Sequence, residues 1–291
     1  EYYRRGIELH TIPYIGEVKL SKLTTRQIQN LYRELQQNGC RRAAQKTKRP
    51  GLSSSTIRGV HTMLHSALNR AVKEKLLRHN PAEDCIVPKL QRQEMRTLKP
   101  EDMRAYLEAA ERRGVLALFY LELVSGIRKG ELAALLWTDL DAEHGTISVS
   151  KQVGRNARGE LAICQPKTSN SVREISIPRD AVELLVQEHQ WHPESPYLFP
   201  SPKTGGMYHP DSIVNLHKKL LKDAGLEYIR FHDLRHTFAT VALQSGVDVK
   251  TVSAMLGHYD AGFTLRTYTH TNRRMQEKAA EKMGNFMAQV L

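Results

Sequence analysis

Only three cysteines occur in the 291 residues, Cys40, Cys85 and Cys164, odd in number and far apart. That excludes a disulfide framework and matches no zinc-ligand spacing, so a reducing cytoplasm is the simplest setting. No run of about 18 consecutive apolar residues is present, which excludes a membrane-spanning helix. The opening Glu1-Tyr-Tyr-Arg-Arg carries no secretory pattern. It also lacks an initiator Met and begins as though inside a helix, as a piece of a longer chain would. Clustered carboxylates of the kind a two-metal nuclease needs are missing, as are internal repeats and low-complexity tracts. Acidic residues are scarce in the first third: residues 1–90 hold 17 Lys or Arg against 7 Asp or Glu.

What is there is a globular composition, 40% hydrophobic and 25% charged, long enough for one large domain or two ordinary ones. The net charge is +12, and +10 of it lies in residues 1–90. Such asymmetry fits a footprint for a polyanion, although a surface selected for solubility would look the same. Arg41, Arg42, Lys46, Lys48 and Arg49, followed by Pro50-Gly51, read as a basic loop able to follow a phosphate backbone. Arg58 joins this set from the helix that follows.

Helical periodicity predicts a helix over 25–37 capped by Thr24, with Ile28, Leu31 and Leu35 on one stripe. A second is predicted over 55–77, carrying Ile57, Val60, Leu64, Leu68 and Val72. A shorter one near Asn80-Pro81-Ala82 completes a small all-α module, residues 1–90, with 91–95 as linker. From 96 to 291 the pattern is α+β. Helices are expected over 100–112, 115–125, 128–136, 180–190, 210–224, 233–245 and 248–256. Between them lie three β-rich runs, Thr146–Val153, Leu161–Gln165 and Val172–Ile177, that fit a small antiparallel sheet. A short helix carries Tyr268, and a last one spans 272–290 with Met275, Ala279, Met283 and Phe286 as its apolar stripe.

Several residues in this second part can carry chemistry, and each also has an ordinary structural reading. Arg128 stands in Ser125-Gly-Ile-Arg-Lys-Gly-Glu-Leu132, where Glu131 can orient its guanidinium or simply form a helix-end ion pair. His232 and Arg235, at i and i+3, offer a proton exchanger and a planar fork for phosphate oxygens, or a surface pair. Lys167 sits at a turn, able to deliver a proton or merely solvated. His258 follows Gly257 at a helix end, where a cation is favoured electrostatically. Tyr268, in Leu265-Arg-Thr-Tyr-Thr-His270, is a nucleophile or a packed aromatic. A tyrosine oxygen, with an ordinary pKa of about 10, attacks only where cations neutralise its target and a neighbour manages its proton.

Taken in order, Arg128, Lys167, His232-x-x-Arg235, Gly257-His258 and Tyr268 resemble the active site of the tyrosine recombinase (phage-type integrase) family, especially integrases of conjugative transposons and phages. The phrases Phe-His-Asp-Leu-Arg-His-Thr-Phe-Ala-Thr, Met-Leu-Gly-His and Thr-Tyr-Thr-His carry the likeness with the Arg128 segment. It covers essentially the whole chain. Residues 1–90 resemble the core-binding, SAM-like helical domain, including Ile12-Pro-Tyr-Ile-Gly-Glu17, and residues 96–291 the catalytic domain. Ser125 stands where threonine is common, and Lys129 where the family varies. The arm-binding domain of many relatives would lie before Glu1.

The resemblance implies attack by Tyr268 on a DNA phosphate, giving a 3′-phosphotyrosyl link without metal, cofactor or ATP. Arg128 and Arg235 would hold the phosphate, Lys167 act as general acid, His232 assist proton transfer and His258 hydrogen-bond the phosphate. It implies double-stranded DNA as partner, a homo-tetrameric synapse with the last helix docking in cis or in trans, and a possible excision accessory protein. The setting would be the bacterial cytoplasm with its nucleoid, and the role integration and excision of a mobile element. Alternatives are a chromosome-dimer-type recombinase, a type IB topoisomerase-like relaxation activity, and a non-enzymatic DNA-binding protein on the same fold.

Overall fold

The computed structural model describes residues 2–39, 51–90, 96–156, 159–165 and 172–258, with 262, 264, 265, 280, 281, 283, 284 and 286–288 beyond them. Contacts divide the chain into two compact units, Glu1–Glu94 and Met95–Leu291. Among the described residues no helix is long and apolar enough to cross a membrane.

The first unit is helical: α1 (Tyr2–His10), α2 (Ile12–Ile15), α3 (Thr25–Asn38) and α4 (Ser54–Lys73). Thr24 opens α3 through a reciprocal cap, its hydroxyl accepting from Gln27 N–H while the Gln27 side chain accepts from Thr24 N–H at 2.9 Å. Ile28, Leu31, Tyr32 and Leu35 of α3 are buried with Ile57, Val60, Leu64 and Leu68 of α4. Each such aliphatic side chain contributes about 1.5–3 kcal/mol through burial.

Two expectations for this unit are corrected. Helix α4 stops at Lys73 rather than 77 because the chain closes in a left-handed turn: Lys75 has φ +61°. Leu76 N–H then reaches back to Ala71 C=O and Lys75 N–H to Val72 C=O. The segment at Asn80-Pro81-Ala82 is a set of turns, not a helix. There the chain closes in i→i+3 bonds, Glu83 N–H to Asn80 C=O and Cys85 N–H to Ala82 C=O, while the Asn80 side chain donates to His65 C=O and Asn69 and accepts from Ala82 N–H. The basic loop at 41–49 lies outside the described residues. The Arg58 side chain is exposed on α4 and donates to Pro88 C=O at 3.4 Å.

The second unit is built around α6 (Leu116–Ser125), which is apolar nearly all round and therefore central. α5 (Pro100–Arg112), α8 (Arg179–Trp191) and α10 (Phe231–Gln244) pack against it. α9 (Pro210–Asp223) and α11 (Val249–Leu256) complete this set of helices. The short α7 (Lys129–Leu132) is all that forms of the helix expected over 128–136. Its continuation is drawn into tertiary pairing: Leu198 N–H bonds Leu135 C=O and Trp137 N–H bonds Pro196 C=O.

The strands are β1 (Leu140–Asp141), β2 (Thr146–Val149), β3 (Gln152–Arg155), β4 (Leu161–Cys164) and β5 (Arg173–Ser176). They form two antiparallel sheets rather than one, ordered β1-β2-β5 and β3-β4. The run expected as a single strand over Thr146–Val153 breaks at Ser150-Lys151, where Lys151 Nζ turns to Asp139 Oδ1 at 2.7 Å. In the larger sheet Ile147 opposes Ile175, both fully buried, and this register fixes where Arg173 enters.

Candidate active site

Gly126 ends α6 with φ +62°, a conformation that costs glycine nothing. A Cβ there would stand 2.6 Å from Phe238 Cδ1 and 2.9 Å from Leu256 Cδ2, so the turn is wedged between α10 and α11. The turn delivers Arg128 to the start of α7. Glu131 takes the Arg128 backbone N–H at 3.0 Å and its Nη1 at 2.9 Å. Glu131 is also met by Arg173, through Nη1 at 3.2 Å and Nη2 at 2.8 Å. Burial alone would raise the Glu131 pKa, but the hydrogen bond and charge of Arg173, then the charge of Arg128, hold it below the usual value.

The C-terminal end of α11 gathers the arginines. Its closing turn satisfies Ser253 C=O with His258 N–H and Ala254 C=O with Gly257 N–H. The next three carbonyls have no helical donor left, and each takes a guanidinium. Arg173 Nε bonds Met255 C=O at 2.6 Å, Arg235 Nη2 bonds Leu256 C=O, and Arg128 Nη2 bonds Gly257 C=O at 3.0 Å. Arg235 Nη1 also bonds Gly126 C=O at 2.7 Å, tying the two glycine turns together.

Arg235 is 2% exposed, and burial followed by the Arg128 charge lowers its pKa to about 10, which leaves it charged at neutral pH. His258 is pushed down to about 4 by burial and then by Arg235 and Arg128. It is therefore neutral, not the cation expected at a helix end; three arginines already occupy that role. Its Nδ1 lies 2.8 Å from the buried Thr264 hydroxyl, four residues before Tyr268. His232 and Arg235 both belong to α10 but differ in exposure, for His232 is at the surface. The protein packed around its base and the Arg235 charge still lower the His232 pKa. His236, one turn on, stacks edge-on to His232 at 4.8 Å and is held at about 4 by burial first, then by His232.

The fold thus brings Arg128, Glu131, Arg235 and His258 together, with His232 at the margin. Lys167 and Tyr268 lie outside the described residues. Sequence reasoning passed over Arg173, which showed itself only as the start of a predicted strand. It also passed over Thr264, and over Glu122, whose one signal was an acid inside the apolar Leu116–Ser125. Glu122 is fully buried, with no hydrogen-bond partner for its carboxyl among the described residues. Burial raises its pKa well above the usual value, partly opposed by Arg235. No group of three or more metal-ligating side chains occurs among the described residues. Three guanidiniums against the carboxylate of Glu131 leave net positive charge, and Arg128, 35% exposed, presents it to solvent.

The chain is similar to known proteins in sequence and in fold. The phage integrase family matches residues 96–275, and the phage integrase N-terminal SAM-like domain matches residues 1–36. A XerC-like tyrosine recombinase of Caldanaerobacter subterraneus subsp. tengcongensis is 29% identical over 92% of this chain and 72% of its own. The ICEBs1 integrase of Bacillus subtilis is 26% identical over 97% of this chain and 76% of its own. The Tn1549 transposon integrase in complex with transposon right-end DNA superposes with a TM-score of 0.79 at 21% identity, covering 97% of this chain and 92% of that one. With the family matched over more than half its length, the chain belongs to the phage integrase family of tyrosine recombinases, enzymes that cleave and rejoin DNA strands.

Proposed function

We propose that this chain integrates and excises a mobile element by site-specific cleavage of double-stranded DNA, with Tyr268 as nucleophile. The observation that supports this reading best is the convergence of Arg128 and Arg235 beside a neutral His258 on one helix end. The Tyr268 oxygen attacks the scissile phosphorus, a bond forms to the 3′ side, and the bond to the 5′-oxygen breaks. Arg128 and Arg235 hold the non-bridging oxygens and neutralise charge that grows in the transition state. Lys167 gives its proton to the leaving 5′-oxygen, while His232 assists removal of the tyrosine proton and His258 hydrogen-bonds the phosphate. A 5′-hydroxyl from the partner strand reverses the step, so the phosphotyrosyl bond conserves the energy and no ATP or metal is required.

Relatives named as an ICEBs1 integrase and a Tn1549 transposon integrase favour the mobile-element role. The lambda integrase tetramer bound to a Holliday junction supports a homo-tetrameric synapse. The basic residues 41, 42, 46, 48, 49 and 58 grip the duplex, an accessory protein biases excision, and the enzyme works on the bacterial nucleoid. The test uses a nicked duplex carrying the joined ends of the element that encodes this chain. Wild-type protein should form a covalent adduct that persists in chelator, and Tyr268→Phe should form none; an adduct in the variant removes Tyr268 from the role.

A further inference from the structure

Arg173, like Arg235, is a guanidinium of this cluster that solvent scarcely reaches: its side chain is 7% exposed, against 35% for Arg128. It bonds two elements at once. Its two terminal nitrogens take both oxygens of Glu131, and its Nε takes Met255 C=O. It begins β5, where it pairs with Val149 of β2, so its backbone is fixed by the larger sheet. The Gly257 backbone also rests on its side chain: a Cβ at Gly257 would sit 3.2 Å from Arg173 Cδ and Nη1.

We propose that Arg173 is the positioning residue for strand cleavage, bracing Glu131 and the carbonyl end of α11 in one frame so that Arg128 and His258 meet the phosphate in register. This rests on the assignment of Arg128, Arg235 and His258 as the phosphate-holding groups. Glu131 orients Arg128, Gly257 C=O receives Arg128, and His258 follows Gly257 directly; Arg173 is bonded to the first and packed against the second. A lysine cannot replace it, because one ammonium cannot bind a carboxylate in two places and a carbonyl on a third side. The Arg173 hydrogen bond is the largest influence holding the Glu131 carboxyl ionised against its burial. Loss of Arg173 therefore moves Glu131 protonation, and with it the loosening of Arg128, to higher pH.

The experiment measures single-turnover adduct formation by the full chain on the nicked joined-ends duplex, with DNA affinity by gel shift and folding by urea titration. Arg173→Lys should slow cleavage about 100-fold, the effect of a misplacement near 1 Å, while DNA affinity stays close to that of wild type. The acid limb of its rate–pH profile should lie at higher pH. Glu131→Gln should give a loss of similar size, and the double variant should be no slower than the worse single one. Wild-type rates in Arg173→Lys, an unshifted acid limb, or additive losses in the double variant would each overturn the proposal. If Arg173→Lys does not fold, the Glu131→Gln variant decides, and normal cleavage by it sinks the idea. Arg128→Ala and Arg235→Ala run alongside: if both cleave normally, the phosphate-site assignment fails first.

Discussion

Glu131 holds Arg128 twice, by the backbone N–H at 3.0 Å and by the guanidinium at 2.9 Å, from a side chain only 3% exposed. A buried carboxylate that answers two arginines leaves both uncompensated when it is removed. Glu131→Ala should therefore lower the unfolding free energy by about 3–5 kcal/mol, the usual cost of breaking a buried pair. Urea midpoints check this. Because its pKa is depressed, the stabilisation from Glu131 is present above the ordinary glutamate value of about 4.3 and lost as pH falls through the lowered one.

Two histidines of the site, His236 and His258, act in a neighbouring pH window. His236 and His258 titrate near 4 in the fold, below the free-histidine value of about 6.5. Each binds protons less well folded than unfolded, so its stabilisation is complete above about pH 6.5 and declines as pH falls toward 4. Urea midpoints of wild type should drop between pH 7 and pH 5. His258→Gln should shrink that drop; an unchanged slope would place the histidine outside the arginine cluster.

The two glycine turns should differ in tolerance. Gly257→Ala forces a left-handed alanine, about 1–2 kcal/mol, and brings its Cβ to 3.2 Å from Arg173, which must shift slightly to admit it. Gly126→Ala adds contacts of 2.6 Å and 2.9 Å with the packed Phe238 and Leu256, about 1–3 kcal/mol more through overpacking. Thermal melts of both variants should rank Gly126→Ala as clearly the less stable.

Glu122 contributes to stability with the opposite pH sign from Glu131. With its pKa raised by burial, it is least costly to the fold below about pH 4.3 and increasingly costly as pH rises toward its own value. Glu122→Gln keeps the volume and removes the charge, so its effect at pH 5 should stay below about 1.5 kcal/mol. Between pH 5 and pH 8 the variant should gain on wild type. A parallel pair of stability curves would show Glu122 to be uninvolved.

Much of this architecture was legible in the residues themselves. The capped, striped helix α3 announced itself through Thr24 and Gln27, and the arginine and histidine motifs through their order. Arg173 was not legible, because nothing local distinguishes a strand-start arginine that points inward from one that points to water. Met255 and Leu256 act through main-chain carbonyls, to which sequence is blind. The strand break at Lys151 and the truncation of α7 arise from partners at Asp139 and at 196–198, too distant for periodicity to register.

Anion sites on helices ordinarily use the N-terminal end, where free N–H groups and the peptide dipoles are positive. α11 offers the opposite pole. Its carbonyl end is of the wrong sign for a phosphate, and three guanidiniums act as adaptors that invert it. In the proposed phosphate site, anion preference would reside in the arginine side chains. Stripping the arginines would leave not a weaker phosphate site but a helix end that attracts cations.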